Sequence, residues 1–135
     1  MRSKNVARFA PLVVAALLVA PVLTAAPLAA AQRSEIDALM ATMQSSACEF
    51  NRNDSWHNAA EAKAHLMRKL DYLEGKNAVH STEQFIELGA SKSSLSGQAY
   101  QVKCGGAAPV DSKTWFTTQL KLIRSTTRAV ALSTR

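Results

Sequence analysis

The chain lacks the markers by which most enzymes announce themselves. It has no Gly-x-Ser-x-Gly elbow and no Ser-x-x-Lys pair, so no serine is set beside the base a nucleophile needs. Histidines number three, and the spacings of eight and fifteen between His57, His65 and His80 match no standard ligand signature, so no metal is expected. No cofactor is expected either. Aromatic residues make up 6% of the chain, and no Lys/Arg stripe with interleaved rings is present, which argues against nucleic acid. Internal repeats, long low-complexity segments and a second domain boundary are all absent.

Acidic residues are missing from the first 34 positions, where Arg2, Lys4 and Arg8 precede an uncharged run rich in Ala, Val and Leu. That is the layout of a secretory leader, and Ala29-Ala30-Ala31 supplies the small residues that signal peptidase accepts. Cleavage is expected after Ala31, giving a leader of residues 1–31. Pro11, Pro21 and Pro27 argue against an uncleaved anchor, so no membrane span is expected after cleavage. No cysteine lies near the junction to carry a lipid, and the leader has no adjacent arginines, which favours export of an unfolded chain. Three of the sixteen Lys+Arg leave with the leader while all ten Asp+Glu stay, so the remainder carries thirteen cations against ten anions, or +3. The expected compartment is periplasmic or extracellular.

Only two cysteines are present, Cys48 and Cys104. In an oxidising compartment an even number is expected to pair. A bridge over this much chain is worth about 4 kcal/mol by the loop-closure model, a useful addition to the modest core of a domain this size.

Ser34-Glu35-Ile36-Asp37 reads as a capping box, followed by Ile36, Leu39, Met40 and Met43 at helical spacing, which predicts a helix over 34–46. Cys48 to Arg52 alternates as a short strand with Cys48 and Phe50 inward, and Asn53-Asp54-Ser55 has turn composition. Asn58 and Glu61 cap a second helix carrying Leu66, Leu70 and Leu73, with Gly75 as its left-handed terminator. Ser81 to Gln84 is a further capping box, opening a third helix that reaches about Ser91, and the short link to it favours a helical hairpin. Tyr100, Val102 and Cys104 alternate as a second strand. Gly105 to Pro109 breaks the chain, and Asp111 or Ser112 caps a last helix through Trp115, Phe116, Leu120 and Ile123, ending near Thr127. Trp56 and Trp115 are expected in the core, although an exposed Trp56 would suit sugar or peptide contact.

Several blocks occur in an order that is familiar: Cys48-Glu49-Phe50-Asn51-Arg52-Asn53, then Glu61-Ala62 with His65-Leu66 and Lys69, then Thr82-Glu83-Gln84-Phe85-Ile86, then Ala90-Ser91 with Ser93-Ser94, Gly97 and Tyr100. With these the chain resembles, from about Ile36 to Arg124, the family of small secreted, uncharacterised proteins that includes YfeK. The resemblance implies export and a single small domain, and it implies no reaction.

The candidate binding residues are Arg52, Glu61, His65 and Lys69. Glu61, His65 and Lys69 recur every four residues and so share one helix face. An acid, an imidazole and an amine in a row suit proton transfer or anion binding; a ladder of solvated side-chain pairs is the plainer reading. Arg52 has the inward parity of Cys48 and is expected to pair with Glu61, near Tyr100. Ser93, Ser94 and Ser96 beside Gly97 are read as turn formers.

The sequence thus predicts a mostly α fold of about four helices with a small two-stranded β element and one disulfide. Its divisions are a leader at 1–31, one domain at 32–127 and a flexible tail at 128–135. The expected function is that of a non-enzymatic binding or accessory protein of the cell envelope, its partner an unidentified envelope protein or small ligand. The alternative is a small envelope hydrolase using Glu61 and His65 as an acid/base pair. Oligomeric state leaves no mark in the sequence.

Overall fold

The computed structural model describes residues 10–11, 19–21 and 27–135. The expected leader lies for the most part outside them. Among the described residues four helices and four strands follow in the order α1 (Ala30–Ser45), β1 (Cys48–Arg52), β2 (Ser55–His57), α2 (Ala59–Gly75), α3 (Thr82–Gly89), β3 (Gln101–Cys104), β4 (Val110–Asp111) and α4 (Ser112–Ser133). The mostly helical class, the four helices and the Cys48–Cys104 bridge agree with the sequence reading. The sheet is larger than expected. It has four strands in the antiparallel order β2-β1-β3-β4, not two.

The two additional strands are the short edges. Asn53 and Asp54 both adopt positive φ, 49° and 64°, and so form the two-residue turn whose twist matches a hairpin, with Arg52 opposite Ser55. Gly105 to Pro109 likewise turns the chain back, setting Val110 opposite Val102. In the centre of the sheet Cys48 lies directly across from Cys104 and Phe50 across from Val102. Inward parity on β1 therefore runs through Cys48, Phe50 and Arg52.

Helix α1 starts at Ala30, with Ala29 as an N-cap that offers no side chain, so the expected capping box at Ser34 lies inside the helix. Ala30, Ala31, Gln32 and Arg33 are strong helix formers and carry the turn upstream. Leu28 packs against the core from there. The caps of α2 and α3 agree with the sequence: the Asn58 side chain accepts from the Glu61 amide at 2.9 Å and Ser81 Oγ from the Gln84 amide at 3.1 Å. At the end of α2, the left-handed residue is Asn77, at φ 53°, while Gly75 remains helical. Helix α3 stops at Gly89, two residues short of the predicted Ser91, and α4 runs past Thr127 to Ser133. Asp111 is the N-cap of α4, yet its side chain makes no capping bond.

One core joins these elements. Ile36, Leu39, Met40 and Met43 of α1 meet Leu66 and Leu70 of α2, Phe85 and Ile86 of α3, and Phe116 and Leu120 of α4. Trp115 packs edge-on against Phe50 and Phe116, with centroids 5.7 and 5.0 Å away. Trp56 does not join it. It sits on the outer face of β2, 36% exposed, with the Lys103 ammonium 4.4 Å from its ring centroid. Arg124 ties three helices together by donating to Glu35 of α1 and Glu83 of α3 from α4. Among the described residues no helix is long and apolar enough to cross a membrane.

Candidate functional site

The inward parity of β1 and one face of α2 bring Arg52 and His65 together. Arg52 Nη1 lies 2.6 Å from His65 Nδ1. A guanidinium has no lone pair to offer, so Arg52 is the donor and Nδ1 the acceptor, which fixes the imidazole as the neutral Nε2–H tautomer. That N–H points to Tyr100 Oη at 3.1 Å. Lys69, one turn further along α2, reaches the same hydroxyl oxygen at 3.4 Å and donates to the Lys92 carbonyl at 2.9 Å. The tyrosine oxygen thus accepts from two neighbours, and its own hydrogen is left to donate.

The backbone holds Tyr100 in this position from both sides. Its amide donates to the Ser91 carbonyl and its carbonyl accepts from the Ser112 amide, each at 2.9 Å. Ser93 organises the adjoining loop: its hydroxyl accepts the amides of Leu95 and Ser96, as a turn former should. Ser96 and Gln98 then clasp the β1–β2 turn through Asn53 and Asp54, each at 2.8 Å.

Electrostatics at the cluster lean to one sign. Burial, followed by the nearby charges of Arg52, Lys69, Arg68 and His57, pushes the His65 imidazolium down to a pKa of about 4. Burial and then Arg52 lower the Lys69 ammonium, and burial raises the Tyr100 phenol. Among the described residues neither Arg52 nor Lys69 has a carboxylate partner. Two half-buried cations without counter-ions, beside a neutral imidazole and a phenol donor, suit an anionic group.

Glu61 takes a different place from the one its spacing implied. Its side chain is 60% exposed and faces His57 Nδ1 at 3.4 Å, on the neighbouring strand, and pairs with neither His65 nor Arg52. The stripe of three on α2 is real, but only His65 and Lys69 enter the cluster. Tyr100, buried in the core, is the member that the sequence set near Arg52 without a role of its own. Its inward parity with Val102 and Cys104 carried the signal, because a buried tyrosine hydroxyl needs a partner.

The row Arg52, His65, Tyr100 separates two concavities, and His57 reaches both. One, of about 510 Å³, opens toward Lys69, Ser93 and Leu95. The other, of about 310 Å³, runs between β1, α2 and the start of α4, past Phe50, Leu66, Phe116 and Ser112. Among the described residues no three His, Cys, Asp or Glu side chains converge on a metal position.

The profile of a family of unknown function (DUF5329) matches residues 30–124. An uncharacterised protein of Salmonella typhimurium, YfeK, is similar to this chain, with 37% identity over 70 residues that make up 51% of this chain and 57% of the relative. The chain therefore spans less than two thirds of the length of that curated relative. No solved structure matches.

Proposed function

The chain belongs to the family of unknown function DUF5329, and from the geometry of the cluster we propose that it is an exported, non-enzymatic binding protein that holds an anionic group at Arg52, His65, Lys69 and Tyr100. The observation that carries this reading is the pair of half-buried cations without a carboxylate partner, set against a phenol whose proton is free to be donated. Glu61, exposed and turned to His57, lends no support to an acid/base pair with His65, so the hydrolase reading is not carried forward.

Export rests on the leader-like pattern of residues 1–31 and on the disulfide, which suits an oxidising compartment. In this reading the domain works in the periplasm or outside the cell, with its leader removed after Ala31.

Titration calorimetry with inorganic phosphate and with acetate tests the anion site. Binding is expected, with Arg52→Gln and Lys69→Gln each weakening it about tenfold. A wild-type protein that takes up neither anion, or variants that bind as it does, overturns the reading. Export is tested separately by the mass of the cellular protein: a chain beginning at Gln32 with no alkylatable thiol is expected, and a retained leader with two free thiols refutes it.

A further inference from the structure

The narrower cavity behind Arg52 carries a statement about ligand class. Resting on the anion-site reading above, we propose that the natural ligand is a small amphiphilic carboxylic acid, whose carboxylate meets Arg52 and whose apolar body lies between β1, α2 and α4.

The mouth sets the charge. Arg52 spends Nη1 on His65, and the rest of its planar fork remains for an acceptor with two coplanar oxygens, the shape of a carboxylate. His65 adds no charge, since its Nδ1 is an acceptor, and Lys69, bonded to the Lys92 carbonyl and the Tyr100 hydroxyl, does not line this cavity. Of the charged side chains that do, Arg52 and Arg68 stand against Glu61, a net of one positive charge, which matches a monoanion.

The interior sets the body. Phe50, Leu66, Phe116 and Met43 line it, and all four are buried. A volume of about 310 Å³ holds on the order of ten non-hydrogen atoms, at the roughly 30 Å³ that a water-sized unit occupies. It also falls at the lower end of ligand sites in general.

Three probes separate head from body: octanoate, acetate with the same head, and 1-octanol with the same chain. Calorimetry is expected to give octanoate an affinity at least tenfold above both of the others, and Arg52→Gln is expected to bring it down to that of octanol. In parallel, the methyl resonance of Met43 in the full-length wild-type domain is expected to shift with octanoate and to stay with acetate, a readout that needs no variant to fold. Ala62→Phe, which fills the cavity with a ring while replacing none of the residues of the anion site, is expected to abolish octanoate binding and to leave phosphate binding in place. Acetate binding as tightly as octanoate overturns the amphiphile while leaving the anion site standing. Octanol matching octanoate, or an unmoved Met43 methyl, overturns it as well, and failure of phosphate and acetate alike removes the site itself.

Discussion

Arg52 donates to the Nδ1 of His65 at 2.6 Å, so a strand residue fixes the tautomer of a helix residue thirteen positions away and leaves the imidazole uncharged. The arrangement is what permits two cations and a histidine to share a half-buried space. A charged imidazole there would face Arg52, Lys69, Arg68 and His57 at once.

The first prediction is a pH dependence. His65 has a folded pKa of about 4 against an ordinary value of 6.5, so the unfolded chain binds the extra proton and stability falls as pH drops from about 6.5 to about 4. Discounted for partial solvent screening, the loss is about 1–2 kcal/mol. Urea midpoints across that window measure it, and His65→Gln is expected to flatten it. Glu35 and Glu83 have lowered pKa values through their bonds to Arg124, so their contribution is present above about 4.5 and is lost only below it, which separates the two effects.

Arg124 supplies the second. Replacing it by Ala leaves the acids of α1 and α3 without their shared donor and is expected to destabilise by about 1 kcal/mol, with the difference shrinking at high salt. Lys113→Ala, which removes an exposed pair with Glu87, is expected to change the urea midpoint very little.

Backbone geometry gives a third, of opposite sign. Ala47, between α1 and β1, sits at φ 54°, a left-handed conformation that costs a residue with a Cβ about 1–2 kcal/mol. Ala47→Gly is therefore expected to raise the midpoint by the equivalent of about 1 kcal/mol. A variant no more stable than wild type would show that the position is unstrained.

Gly89 is the converse case. A Cβ there would lie 2.7 Å from Phe85 Cε2 and 2.9 Å from Cδ2, and that ring is fully buried. Gly89→Ala is expected to destabilise by about 1–3 kcal/mol through overpacking, read from thermal melts.

Much of this fold was legible because its helices carry local punctuation. Asn58 with Glu61 and Ser81 with Gln84 are complete chemical statements within four residues, and the structure forms both caps. The edge strands were not legible, since β2 has three residues and β4 two, too few for a period of two to register. Ser34 misled because its capping chemistry competes with an alanine-rich stretch that is already helical. At the site, parity placed Arg52 and helical spacing placed His65 and Lys69, but partner choice depends on which strand lies beside which helix. That is why Glu61 ends at His57, a residue of the strand that the sequence did not disclose.

The bridge between Cys48 and Cys104 encloses more than a length of chain. Arg52, His57, His65, Lys69 and Tyr100 all fall within the ring it closes, as does the segment around Leu95, which is 99% exposed and the natural point of attack for a protease. A single cut there would leave both halves covalently joined, with Arg52 on β1 and Tyr100 at the entry to β3 still beside strands clamped in register, and only a reductant would part them. Against a protease, the staple would turn a severed loop from a loss into a scar.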